Sequence, residues 1–198
     1  EATDADIVYF DFYKEYPTKS KAKRERDYAV DAQREYVRNM YNHRSYASVW
    51  NKCVRHSLYK EHKIYTPQYG YAEDCYLMSQ LVGYSSSIVH LDEYLYHYRK
   101  GNPNALTGQQ RRKRKREYAL NFLDLYERYK DVPTEENPVA VIFDDMLIQA
   151  GWYSIFYRLD LFKQYPWLAA AVRKAKMHRK TDVWLLSQLI TKLYVMFK

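Results

Sequence analysis

The chain has 198 residues, 47% of them hydrophobic, with 23 Tyr, 5 Gly and a formal net charge of +8. That is enough apolar material for one sizeable core, or for a small domain with an appendage. The composition argues against a disulfide framework or a zinc module: the cysteines are only Cys53 and Cys75, both in apolar helical patterns that read as buried free thiols, and no His-x-x-x-His or Cys-x-x-Cys spacing occurs.

Asp6 to Tyr13 reads as a strand, with Ile7, Tyr9 and Asp11 on one face and Val8, Phe10 and Phe12 on the other; the Phe-bearing face is the one expected to be buried. Pro17 to Arg26 is polar and basic, a loop or linker. Tyr28 to Tyr41 carries Tyr28, Ala32, Tyr36 and Met40 at helical spacing. Ser48 to His62 is aromatic, with Val49, Cys53 and Val54 at helical spacing and a short strand expected near Trp50. The chain turns at Pro67 and Gly70, and Glu73-Asp74 then opens an apolar helix that Gly83 ends. Ser86 to Leu91 and Leu95 to Arg99 alternate like two strands joined by a turn at Asp92-Glu93. Gly101 to Asn104 is a loop.

The composition changes at Gly108. Residues 1–108 carry 15 Lys and Arg against 14 Asp and Glu, and residues 109–198 carry 17 against 10. Everything beyond reads as helix. One stripe holds Tyr118, Phe122, Leu125, Tyr126 and Tyr129. A second runs from Val139 to Tyr153 after the breaks at Pro133 and Pro138, a third from Leu168 to Met177, and the last from Val183 to Phe197. Asp144-Asp145 lies inside the second and reads as ordinary exposed acids rather than a metal pair.

Three segments occur in order: Trp50-Asn51-Lys52 with Arg55; Gly70-Tyr71-Ala72-Glu73-Asp74; and Tyr96-His97-Tyr98-Arg99 before a small polar loop. Together they resemble the second half of a family 2 glycosyltransferase, over roughly residues 5–108; the family's glycine often stands nearer the acids than Gly70 does. The resemblance implies an α/β fold with a partial GT-A-like mixed sheet and helices in 1–108; the helical pattern beyond it reads as an all-α C-terminal extension in 109–198. Ala5-Asp6-Ile7-Val8 matches a strand that follows the family's metal-binding Asp-x-Asp, so Asp4-Ala5-Asp6 is not that motif. The nucleotide-binding half is then expected upstream of residue 1, and this chain to be incomplete and inactive alone. A divalent metal, Mg or Mn, is expected with that missing half; no metal motif lies in this chain.

The activity implied is inverting transfer from a nucleotide sugar to a hydroxyl of a carbohydrate or glycolipid, as in polysaccharide, lipopolysaccharide or glycolipid synthesis. Such a reaction needs a base for the acceptor proton, positive charge for the departing diphosphate, and a pocket that excludes water. The resemblance assigns the base to Asp74, with Glu73 secondary, orienting the loop or touching acceptor hydroxyls. Lys52, Arg55 and Arg99 are diphosphate contacts or plain surface cations. Tyr71, Tyr98 and Trp50 flank the pocket as stacking surfaces, Trp50 being equally suited to the core.

The run Arg111 to Arg116 has three readings, in order: a solvated helix start, an anionic membrane surface, and nucleic acid, which has no binding fold to support it. No run of about 18 apolar residues is present to span a bilayer. The expected location is the cytoplasm, peripheral at the inner face of the membrane. The competing class of function is a basic, tyrosine-rich helical binding module without chemistry.

Overall fold

The computed structural model describes residues 4–101 and 110–175; the expected helix at Val183 to Phe197 and most of the Gly101–Gly108 loop lie outside them. The protein is a mixed α/β fold. A four-stranded sheet is built on β1 (Ile7–Tyr16). β2 (Lys19–Lys23) folds back on the second half of β1 as an antiparallel hairpin, and β3 (Lys52–Val54) pairs antiparallel with its first three residues. β4 (Ile88–Arg99) runs parallel to β1 along nearly its whole length.

Between the strands come α1 (Gln33–Tyr41), α2 (Ser57–Glu61) and α3 (Glu73–Tyr84). Among the described residues four further helices follow β4: α4 (Arg111–Tyr129), α5 (Phe143–Phe156) after a 3-10 turn at Ala140–Ile142, α6 (Leu161–Gln164) and α7 (Leu168–Lys174).

Several sequence expectations change. β1 is buried on both faces: Ile7, Tyr9 and Asp11 are fully buried, as is Phe12 on the other side. The polar segment after Pro17 is a strand, not a loop. Its KSKAK sequence has no apolar alternation, because β2 is an exposed edge held only by its ladder to β1. The two strands expected around Asp92-Glu93 are one strand. The register passes from Phe10–Leu91 to Asp11–Tyr94, so these acids form an irregularity within β4 rather than a turn. Cys53 is exposed while Cys75 is buried, because Cys53 lies in β3, where burial alternates.

The odd face of β1 enters the main core. Ile7 and Tyr9 meet Tyr36 and Met40 of α1, Tyr76 and Leu81 of α3, and Ile88 of β4. The same core takes in Tyr118, Phe122 and Leu125 of α4 with Ile142 and Met146, so the charge step at Gly108 is no break in packing. A second cluster, with Leu120, Leu123, Leu147, Leu161 and Leu168, ties α4 to α5, α6 and α7. On the even face, Phe12 packs edge-on against Tyr46 and Trp50 at 4.8 and 4.7 Å.

α3 is central to this arrangement. It contains Gly83 rather than ending before it. A Cβ on Gly83 would lie 2.1 Å from the Pro138 carbonyl oxygen, so glycine is what lets the 133–139 segment lie against the helix.

Candidate functional site

α3 begins at Glu73, and the residue before it, Ala72, has φ of 67°, the left-handed region. The turn that glycine would make freely thus falls on Ala72, two residues after Gly70, and no side chain caps the helix. Glu73 and Asp74 are partly buried and line a cleft of about 670 Å³. The opposite walls come from the segment after α1 (His43, Arg44, Ser45, Tyr46, Ala47, Ser48), from Tyr98 of β4 and from Tyr118 of α4; Gly70, Tyr71 and Ala72 complete the rim.

Burial pushes the Asp74 carboxyl above its ordinary value; a hydrogen bond from the Val49 backbone N–H and the Lys52 cation pull it back in part. Burial raises Glu73 as well. Its own backbone N–H opposes the rise, while the charges of Asp74 and Glu117 add to it. A half-buried carboxylate with a raised pKa, aimed into a cleft, is a competent proton acceptor.

The cleft walls are pinned from behind by polar side chains. Lys52 is 8% exposed, and its ammonium donates to the carbonyls of Tyr46 and Ser48 at 2.8 Å and to Asn51 Oδ1 at 2.9 Å. Burial lowers its pKa to about 8, against the opposing pull of Glu25 and Asp74. Asn51 in turn donates to Glu25 at 2.8 Å and to the Phe10 carbonyl at 3.3 Å. Glu25 sits beside Asp11, which accepts from the Glu25 backbone N–H at 2.7 Å and faces His90 Nε2 at 2.9 Å. His90 also contacts Asp27 at the surface and stacks on Tyr9 at 5.1 Å.

On the other side, Asn121 of α4 holds the rim loop. Its amide donates to the carbonyls of Tyr69 and Tyr71 at 2.8 and 3.0 Å and accepts from Tyr69 N–H at 3.1 Å. Gln80 does the same for Tyr65 at 2.9 Å in both directions.

Of the residues singled out in the sequence, the structure brings Glu73, Asp74, Tyr71 and Tyr98 to the cleft. Trp50 stands one layer behind, stacked on Tyr98 at 5.1 Å and on Tyr96 at 4.5 Å. The three cations read as diphosphate contacts are not brought there. Lys52 is spent on the carbonyls behind the wall. Arg55 is held by Asp4 at 2.6 Å and Asp6 at 3.1 Å. Arg99 is exposed at the strand end, on the face opposite Tyr98.

Asp6 further accepts from the Ser86 hydroxyl and backbone N–H, so the Asp4-Ala5-Asp6 acids are committed to neighbouring side chains and backbone. Among the described residues no group of three or more His, Cys, Asp or Glu could hold a metal ion. None of their helices is long and apolar enough to cross a membrane.

The basic run opens α4, where cations oppose the helix dipole. Its position next to the C-terminal turn of α5 offsets this. Arg112 donates to the carbonyls of Tyr157 and Arg158 at 2.9 and 2.8 Å, and Lys115 to the Tyr153 hydroxyl at 2.8 Å. Lys113 and Arg116 remain exposed.

Sequence reading missed Arg44 and Lys100 as cations at the cleft, and took Arg114 only as part of the basic run. Arg44 lines it, Lys100 stands 4.6 Å from the Tyr98 ring centre, and Arg114 5.7 Å from that of Tyr71. An isolated Arg after a helix, or a Lys at a strand end, carries no pattern that separates it from surface charge.

No family model, no curated protein and no solved structure matches this chain.

Proposed function

We propose that this chain is the acceptor-side half of an inverting glycosyltransferase and that Asp74 is its catalytic base. The observation that carries the reading is the position of Asp74: at the first turn of α3, partly buried, held by Val49 and Lys52, and lining a cleft walled by tyrosines. Tyrosine rings offer apolar faces to sugar C–H groups and hydroxyls to their edges. In the step, an acceptor hydroxyl oxygen bonds to the anomeric carbon of the donor sugar. The bond from that carbon to the diphosphate oxygen breaks, the diphosphate leaves with the electron pair, and the hydroxyl proton passes to Asp74. The nucleotide, and the divalent metal that would accompany it, belong in this reading to a separate half, because the residues described here do not fit a metal site.

The test is Asp74→Asn in a polypeptide that joins this chain to a nucleotide-binding half. The substitution keeps size and removes the proton acceptor, so turnover should fall about a hundredfold or more with little change in donor affinity. Glu73→Gln should cost less and act through acceptor affinity. Normal turnover by a folded Asp74→Asn protein would reduce Glu73-Asp74 to a helix start and remove the proposal.

A further inference from the structure

The rim of the cleft carries uncompensated positive charge. Elsewhere, Arg24, Arg26, Arg55, Arg128 and Lys130 each have a carboxylate within 3.5 Å. Around the cleft, Lys14, Arg44, Lys100 and Arg114 form no salt bridge among the described residues. Instead, three of the tyrosines at the cleft each have one of these cations against the ring: Lys14 at 4.9 Å from the Tyr46 centre, Lys100 at 4.6 Å from Tyr98, and Arg114 at 5.7 Å from Tyr71. Lys14 and Tyr98 are register partners across β1 and β4, so Lys14 and Lys100 both stand beside Tyr98, which lines the cleft. Arg44 lines the cleft itself, and Arg114 stands against Tyr71 on its rim. The Arg114 Nε is buried without a hydrogen-bond partner.

Cations gathered around a concavity with no carboxylate in salt-bridge range give its rim a positive potential. Tyr98 already has Trp50 stacked on it and Lys100 over it, so the apolar ring surface open to a sugar is that of Tyr46 and Tyr71, with the cations beside it for an anion. The acids Glu73 and Asp74 sit between the walls, where a hydroxyl rather than an anion would be placed.

We infer that the cleft takes an anionic saccharide, one whose ring lies on the tyrosines while a phosphate or carboxylate substituent is bound by Arg44 and Arg114 or by Lys14 and Lys100. In terms of the glycosyl-transfer reading, on which this rests, the acceptor is an acidic or phosphorylated glycan. A guanidinium or ammonium meeting such a group forms charge-assisted hydrogen bonds, and these weaken with salt wherever they stay exposed.

The experiment follows protein chemical shifts during titration with matched pairs: glucose against glucuronic acid, and an N-acetylhexosamine against its phosphate monoester. Inorganic phosphate and UDP are titrated alongside. Each anionic sugar should bind about tenfold or more tightly than its neutral partner, with the gap closing at high salt. Shifts should centre on Tyr46, Tyr71 and Tyr98. One of the two double variants, Arg44→Gln with Arg114→Gln or Lys14→Gln with Lys100→Gln, should bring the two members of each pair within about twofold.

Equal binding of neutral and anionic sugars, a gap that survives both double variants, or no sugar binding at all overturns the inference. Inorganic phosphate binding as tightly as the sugar phosphate does so too. UDP binding more tightly than either sugar at these residues would give the cations to the leaving group instead, again against the inference. The glycosyl-transfer reading stands or falls separately, on the turnover of Asp74→Asn.

Discussion

At its C-terminal end α3 has no spare space: Leu81 and Val82 are fully buried, a Cβ on Gly83 would meet the backbone of Pro138, and Tyr84 stacks on His62 at 4.1 Å. At its N-terminal end the same helix opens on a cleft, from a strained, uncapped residue, with two partly buried carboxylates side by side. One end is built for packing, and the other keeps features that cost stability. A helix fixed at the far end can hold unfavourable groups at the near end without being displaced, and this is how structures commonly support strained or desolvated sites.

Substituting the packed end should do the most damage. In Gly83→Ala the new methyl group meets backbone rather than a flexible side chain, so α3 or the Pro138 segment must move. The expected loss is about 3 kcal/mol or more, the upper range for overpacking, read from urea unfolding. A loss under about 1 kcal/mol would mean that the close approach is not maintained in solution, and the contrast between the two ends would fail.

Next in size is Asn121→Ala. It leaves three backbone groups of the rim loop, Tyr69 N–H and the carbonyls of Tyr69 and Tyr71, without their partner. About 2 kcal/mol should be lost, in line with unsatisfied buried polar groups, and amide exchange should quicken at residues 69–72 while α3 beyond Leu77 stays protected. Uniform exchange along all of α3 would show that its two ends are one cooperative unit after all.

How much of this was legible beforehand differs between the ends in a physical way. Glu73-Asp74 followed by Cys75-Tyr76-Leu77-Met78 announces a helix start, because the acid-then-apolar order is local information. The left-handed turn at Ala72 was not announced, since only glycine at that position would have signalled it. Gly83 looked like a helix stop, whereas its reason is a residue 55 positions away in sequence, Pro138, which no local pattern shows. Lys52 read as a diphosphate contact or a plain surface cation, because most lysines are exposed; its burial follows from carbonyls that turn inward only once the 46–51 segment is folded. β2 was missed for a related reason: its residues are polar apart from Ala22, and its extended form comes from pairing with β1.

The carboxylates offer a subtler test of the open end. Both are raised above their ordinary values of 4.5 for Glu73 and 3.8 for Asp74, so the folded state holds their protons to higher pH than the unfolded chain does. Their contribution to stability is therefore fully present below those ordinary values and is lost as pH rises through the raised ones. The double variant Glu73→Gln with Asp74→Asn removes that loss. It should melt at a higher temperature than the parent at neutral pH, and the difference should vanish in acid below the two ordinary values. A variant less stable at neutral pH would mean that Val49 and Lys52 more than offset the burial of the acids.

The smallest effect belongs to Ala72. A left-handed φ costs a non-glycine residue about 1–2 kcal/mol, because its Cβ crowds the following carbonyl. Ala72→Gly removes that crowding but gives the unfolded chain more freedom, which costs about 0.5–1 kcal/mol. The balance should lie between no change and about 1 kcal/mol of added stability, with α3 still starting at Glu73 and the acids still facing the cleft. A clear loss of stability would mean that the Ala72 methyl makes a packing contact worth more than the strain. Ala72 is partly buried and packs against the main core, so the methyl has neighbours to lose. A methyl buried in full is worth about 0.8 kcal/mol, less than the left-handed strain it imposes. Strain, contact and the added freedom of the unfolded chain then nearly cancel, and the open end of α3 should tolerate the glycine that the packed end cannot do without.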